Sequence, residues 1–149
     1  MTIGVRLLRC PMDAADDGVF CELAGRVFEE SSQDYLHWRL DNMPDVTVFI
    51  ASVDGVPAGF KAGYAATGSR YYSWLGGVDP AWRRLGVGAA LMVAQHQWLM
   101  ESRYDLVETH VDQENTAMIA LNMAHGFEIT GMFLKRGKPN YIMQRNVVR

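Results

Sequence analysis

Cysteine is scarce in this chain: only Cys10 and Cys21 occur in 149 residues. Two cysteines cannot build a disulfide framework, and their spacing is not that of a metal-ligand set. Both are read as buried free thiols. A basic excess is also lacking. Lys and Arg number 14 against 17 Asp and Glu, a formal net charge of −3. That balance withholds the electrostatic footprint of a nucleic-acid binder, so no nucleic acid is expected as a partner. No apolar run approaches the roughly 18 residues needed to span a bilayer, and no membrane partner is expected. The start, Met1-Thr-Ile-Gly-Val-Arg6, lacks the layout of a signal peptide, which makes the cytoplasm the expected location. His37, His96 and His125 have no ligand partners at metal spacing, so no metal is expected. Internal repeats, low-complexity tracts and linker-like shifts in composition are likewise missing.

What is present is an ordinary globular composition, 49% hydrophobic and 21% charged, expected to form one domain over residues 1–149. Val5 to Arg9 reads as a strand. Asp13 then caps a helix carrying Val19, Phe20, Leu23 and Val27 on its apolar side, with Asp16 and Asp17 at the positive end of its dipole. A short helix from Ser32 to Asn42 bears Tyr35, Leu36, Trp38 and Leu40, and Pro44 closes it. Val46 to Val53 is a strand joined to Val56–Ala66 by Asp54-Gly55, a strong hairpin signal. Thr67-Gly68-Ser69 turns the chain into a third antiparallel strand, Arg70 to Val78. A helix from Val87 to about Ser102, a strand from Leu106 to Val111, a helix from Asn115 to His125 and a strand from Phe127 to Leu134 follow. Lys135 to Asn140 reads as a solvated loop before a last strand, Tyr141 to Val147. The order β-α-α-β-β-β-α-β-α-β-β specifies an α/β (α+β) layered fold, with a mixed, mostly antiparallel sheet of about seven strands and four helices.

The segment Trp74-Leu-Gly-Gly-Val-Asp-Pro-Ala-Trp-Arg-Arg-Leu-Gly-Val-Gly-Ala-Ala-Leu-Met92 runs from a strand through a Gly/Arg-rich turn into a helix. A helix N-terminus presents unpaired N–H groups and the positive end of the dipole, so an anion is stabilised there. Gly86 and Gly88 let a ligand approach the backbone. Arg83 and Arg84 add guanidinium donors suited to phosphate. Val87, Leu91, Ala94 and Trp98 form the stripe that packs this helix on the core. A dinucleotide-binding fingerprint is not met, because the third glycine position is Leu91 and the preceding strands read as hairpins.

This element order, with its cradle after the fourth strand, resembles the GNAT superfamily of acetyl-CoA-dependent N-acetyltransferases over nearly the whole chain. Val78, Pro80, Arg83, Gly86 and Gly88 match the family's Val-x-Pro-x-x-Arg-x-x-Gly-x-Gly unit. Asn115, Ala117, Met118, Leu121, Gly126 and Phe127 match a second family motif. The resemblance implies a sheet splayed between the fourth and fifth strands and acetyl-CoA as cosubstrate. Its pyrophosphate is expected at Arg83, Arg84, Leu85, Gly86, Val87, Gly88 and Ala89. Its pantetheine is expected along Gly76, Gly77 and Val78, with Asn115 and Asn122 also facing it. The family's usual Tyr, thought to protonate the departing thiolate, is Asn122 here, which leaves the general acid open. A homodimer is a family-level expectation.

Acetyl transfer needs a neutral amine beside the thioester and a stabilised oxyanion. Strict alternation puts Glu108 and His110 on one face of the fifth strand, with Leu106 and Asp112. His110 is the candidate base, with Glu108 beside it. Glu29, Glu30 and Asp34, between the first two helices, read as an exposed acidic turn or, at the acceptor entrance that the resemblance implies, as an attraction for a cationic amine. Two readings follow: N-acetylation of a primary amine on a small molecule or peptide, by direct attack in a ternary complex; or a non-catalytic acyl-CoA-binding or interaction module on the same fold.

Overall fold

The first helix begins as its sequence dictates. Asp13 lies outside it in extended conformation, and its carboxylate accepts the Asp16 N–H at 2.8 Å. Asp54 and Gly55 both take positive φ, 47° and 84°, the pair of left-handed residues that a two-residue hairpin turn requires. The computed structural model describes residues 1–28 and 33–149. Its elements are β1 (Ile3–Arg9), α1 (Ala14–Val27), α2 (Gln33–Asn42), β2 (Thr47–Val53), β3 (Val56–Ala65), β4 (Arg70–Val78), α3 (Val87–Met100), β5 (Leu106–Asp112), α4 (Thr116–Ala124), β6 (Glu128–Lys135) and β7 (Lys138–Asn146). A 3₁₀ turn, Pro80–Trp82, separates β4 from α3. The strands form one sheet in the order β1-β2-β3-β4-β5-β7-β6. All neighbours are antiparallel except β4 and β5.

Both faces of the sheet are covered, which explains why β2 is apolar at nearly every position. Val48 and Ile50 point into a core with Phe20, Leu23, Leu36 and Leu40 of α1 and α2. Phe49 and Ala51 point the other way, against Val87 and Leu91 of α3. Farther along that second face, Met92, Leu99, Val107, Val111, Phe127 and Met143 form one cluster. The helix from β4 to β5 is the crossover that makes those two strands parallel.

The sheet is not paired throughout. β4 and β5 pair from Arg70–Leu106 to Ser73–Thr109 and then part. Beyond that point β4 stays paired with β3 as far as Val78, and β5 with β7 as far as Asp112. The Thr109 hydroxyl donates to the Ser73 carbonyl at 3.0 Å, at the last rung before the fork. From Trp74 to Val78 one edge of β4 therefore has no strand partner. Gly77 lies on this stretch because α1 leaves no room for more: a Cβ there would stand 2.2 Å from Val27 Cγ1.

Several sequence expectations are corrected. Residues 135–140 are not a loop. Arg136 and Gly137 (φ 52° and 78°) make a second tight hairpin turn, with Lys138, Pro139 and Asn140 already in β7. Arg at the first of these positions conceals a turn normally signalled by Asn or Asp. Cys10 and Cys21 are free, as expected, but half-buried. Of the α2 side chains named from the sequence, Leu36 and Leu40 are buried, while Tyr35 and Trp38 are 52% and 55% exposed. Ser32, the expected first residue of α2, and Glu29 and Glu30 lie outside the described residues. No helix among the described residues is long and apolar enough to cross a membrane.

Gly77→Ala should destabilise the fold by roughly 1–3 kcal/mol, the cost of overpacking a close contact. Val27→Ala in the same chain should restore much of that loss by removing the opposing methyl groups. Urea unfolding of the single and double variants measures both, and a neutral Gly77→Ala would remove α1 as the reason for glycine.

Candidate active site

The turn after β4 is built by Asp79. Its carboxylate accepts the Ala81 N–H at 3.0 Å and pairs with Arg26 Nε of α1 at 3.0 Å. Arg83 donates from Nε to the Val78 carbonyl at 3.2 Å, bracing the end of β4. Arg84 (φ 64°) and Gly86 (φ 87°) are both left-handed. They swing the chain so that α3 starts beneath exposed Arg83, Arg84 and Leu85. Gly86 occupies the N-cap position and supplies no side-chain cap. The first bond inside the helix is Ala90 N–H to Gly86 C=O, so the N–H groups of Val87, Gly88 and Ala89 have no partner within the helix. Arg84 forms no hydrogen bond or ion pair among the described residues. This is an exposed, N–H-rich, cationic shelf, matched to an anion.

A cavity of about 180 Å³ lies under the parted strands. Gly76, Thr109, Asp112, Asn115, Met118 and Asn122 line it, together with Lys61 of β3. Asn122 is 2% exposed, and its carboxamide nitrogen faces Met143 Sδ at 3.6 Å. Asn115 has a structural duty as well: its side-chain oxygen accepts the Met118 N–H and caps α4. A larger cavity, about 620 Å³, opens on the α1/α2 side between Arg39, Tyr64, Tyr72, Glu108, Phe133 and Lys135. Phe28, Trp74, Leu75 and His110 belong to both walls. The two spaces adjoin across these four side chains, of which His110 is the titratable one.

Glu108 and His110 share a face, as alternation requires, and they are not merely solvated. Glu108 Oε1 accepts from Gln144 Nε2 at 2.7 Å, while Oε2 lies 3.0 Å from His110 Nε2. His110 Nδ1 lies 3.2 Å from the Tyr72 hydroxyl. With Nε2–H donating to the carboxylate, Nδ1 is the acceptor and Tyr72 the donor. Burial pushes the Tyr72 phenol up to about 12, so it stays protonated at neutral pH and can pass a proton without ionising. Gly76 lines the smaller cavity. Gly77 and Val78 continue along the unpaired edge, and the cradle residues lie beyond its end.

Tyr72, Gln144, Asp79, Lys61 and Arg39 carry no signal in the sequence alone, since each gains meaning only from the register of the sheet or the packing of a helix. Lys61 is the most unusual. It pairs in register with Gly76, its stem lies 3.5 Å from the position a Gly76 Cβ would take, and burial pulls its ammonium down to about 8. Among the described residues no carboxylate pairs with it. The other histidines divide. His96 and His125 make ring contacts in the α3/α4 layer, as expected. His37, expected to lack ligand-type neighbours, instead has Nε2 within 3.3 Å of both Cys21 Sγ and Asp17 Oδ1. Asp34 is exposed on α2.

The sequence matches the Acetyltransferase (GNAT) family over residues 19–127. The chain belongs to that family. Its fold agrees with solved relatives across the whole length. The ribosomal-protein-S18-alanine N-acetyltransferase from Escherichia coli superposes with a TM-score of 0.80 at 18% identity, covering 98% of this chain and 96% of that one. Ard1 from Thermoplasma volcanium gives 0.78 at 23% identity, with both chains covered in full at 100%. The PaiA N-acetyltransferase from Thermoplasma acidophilum, solved in complex with coenzyme A, gives 0.72 at 14% identity, covering 98% and 99%. No curated protein matches the sequence. The seven-stranded mixed sheet with four helices is thus the GNAT fold.

A buried ammonium held near 8 destabilises the fold below that pH. Unfolding restores the ordinary 10.5, so the unfolded chain binds more protons between the two values, and stability rises with pH across that window. Lys61→Met should raise stability at pH 7, and the gain should shrink as pH rises above about 8 and vanish by about pH 10.5. Denaturant midpoints at several pH values check both the sign and the window.

Proposed function

We propose that this GNAT chain is an acetyl-CoA-dependent N-acetyltransferase that acetylates a primary amine by direct attack in a ternary complex. One observation carries the reading: the cavity under the unpaired edge of β4 and the cavity beside Glu108 adjoin across side chains that include His110. The first space suits a thioester arm running along strand edge from an anion shelf. The second suits an acceptor entering from the opposite side. The pyrophosphate is held by the N–H groups of Val87, Gly88 and Ala89, with Arg84 supplying charge. Free N–H groups on β4 are the oxyanion donors.

The acceptor ammonium gives up a proton at the junction. It passes to His110 Nδ1 through the Tyr72 hydroxyl, which accepts one proton as it donates its own. Glu108, fixed by Gln144, stabilises the imidazolium so formed. The neutral nitrogen then attacks the thioester carbonyl, and the carbon–sulfur bond breaks with its electron pair on sulfur. Asn122 has no titratable proton and serves only to position the arm. Lys61 donates the proton that the thiolate requires and is recharged from solvent. The products are an N-acetyl amide and free coenzyme A thiol.

Under this reading kcat/KM has two limbs. It rises with pH as the acceptor amine and its base shed the proton that blocks attack, and falls above about 8 as Lys61 loses its own. Lys61→Met should abolish the alkaline limb and lower turnover. The double variant Glu108→Ala, His110→Ala should lose roughly 10²–10⁴-fold in turnover with acetyl-CoA affinity unchanged. Asn122→Ala should lose less than about tenfold, one neutral hydrogen bond. Thiol release followed against pH separates these cases. Tight acetyl-CoA binding without thiol release from any amine would favour the non-catalytic module, which Asn122 in the place of the family Tyr brings into view.

The shelf has its own test. Arg84→Ala should weaken coenzyme A binding by about 1–3 kcal/mol, the range for a hydrogen bond to a charged group. Calorimetry on the wild type and this variant measures it, and equal affinities would move the pyrophosphate elsewhere.

A further inference from the structure

The larger cavity contains a cation that no carboxylate among the described residues neutralises. Arg39 of α2 projects into it, stacked over three rings: its guanidinium carbon lies 5.3 Å from the Tyr35 centroid, 5.6 Å from Tyr64 and 5.3 Å from Trp74. Nε and one terminal nitrogen donate to the Tyr35 hydroxyl at 3.0 and 2.6 Å, and the other terminal nitrogen donates to the Tyr64 hydroxyl. All three partners are neutral. Among the described residues no carboxylate lies within 4.0 Å of it. Lys135 lines the same cavity. Among the described residues that line it, the one carboxylate, Glu108, is engaged by Gln144 and His110.

Of the five guanidinium N–H groups, three are used, leaving one on each terminal nitrogen. Two parallel donors on a planar, aromatic-braced cation suit a carboxylate, which Arg binds in a bidentate manner. Tyr64 and Tyr72 separate this cation from His110, with successive ring centroids 5.4 and 4.8 Å apart. An anion held by this cation would sit across an aromatic span from His110.

We propose that Arg39 is an anion-binding subsite for the acceptor, and that the acceptor is a small amine bearing a carboxylate at the far end of a flat apolar body. The inference rests on the acetyltransferase reading above and adds the acceptor's chemical class. Within it Arg39 sets specificity and does no chemistry. A peptide N-terminus, which offers no carboxylate at that distance unless a side chain supplies one, is disfavoured.

The test is kcat/KM for three acceptors that share one aminomethyl group: 4-(aminomethyl)benzoate, 4-(aminomethyl)benzamide and benzylamine. Wild type should favour the benzoate over the benzamide by about 10- to 100-fold, the range for one charge-assisted contact. Arg39→Gln should reduce that ratio to near 1 with the KM for acetyl-CoA little changed, and Arg39→Lys should keep part of it. Since Arg39→Gln loosens the Tyr35–Tyr64–Trp74 stack, the wild-type ratio stands as a test by itself. Equal wild-type values for benzoate and benzamide overturn the subsite while leaving the acetyltransferase reading intact. A wild-type preference that survives unchanged in folded Arg39→Gln overturns the assignment to Arg39. No thiol release with any of the three, despite bound acetyl-CoA, counts against the transferase reading and the subsite together.

Discussion

The parting of β4 from β5 is the constraint on which the rest of this molecule depends. A parallel pair that ended in solvent would be an ordinary strand end; here both strands continue, each held by its other neighbour. The sheet thereby acquires an unpaired edge inside the domain. An exposed edge is a row of donors and acceptors seeking an extended partner, and at this one a thioester arm can lie as a strand would. Contacts around the fork fix where it begins and how β4 runs on from it. Thr109 ties the last rung, α1 presses Val27 on Gly77, and Asp79 bonds the following turn to α1 through Arg26.

From that constraint the polar groups fall into two environments. On the α3/α4 side lie the small cavity and Lys61, half-buried and with no carboxylate partner among the described residues. On the α1/α2 side lie Glu108, His110, Tyr72 and the aromatic walls around Arg39. Under the proposed function this segregation puts a proton donor beside the leaving thiolate and a proton acceptor beside the amine, with His110 at the boundary. The arrangement is not one that stability alone would select. Among the described residues neither the Lys61 ammonium nor the Arg39 guanidinium has a carboxylate partner, though both are at least partly withdrawn from solvent. Charged groups retained in that state are where function is expected to reside.

Much of the fold was legible because the signals were local and strong. Asp13, Asp54-Gly55 and the apolar periods of α1 and α3 each decide their own segment. The turn at Arg136-Gly137 was not legible, since its left-handed pair begins with Arg, and Pro139 argued against a strand. Glu108 and His110 were found by alternation, the one long-range pattern a strand prints in its own sequence. Tyr72, Gln144 and Lys61 could not be, because they reach the site from three other strands through register. Arg39 needs the packing of α2 before it faces anything. Asn115 shows the reverse case: it matches a family motif, and the structure gives its side-chain oxygen a helix cap to hold.

Amide hydrogen exchange with and without acetyl-CoA tests the central claim most directly, that the thioester arm completes the open edge of β4. The account predicts that acetyl-CoA slows exchange at amides of Trp74–Val78 and of Leu85–Ala89, while β1 and β2 are unchanged. Binding that leaves both segments unprotected would contradict it.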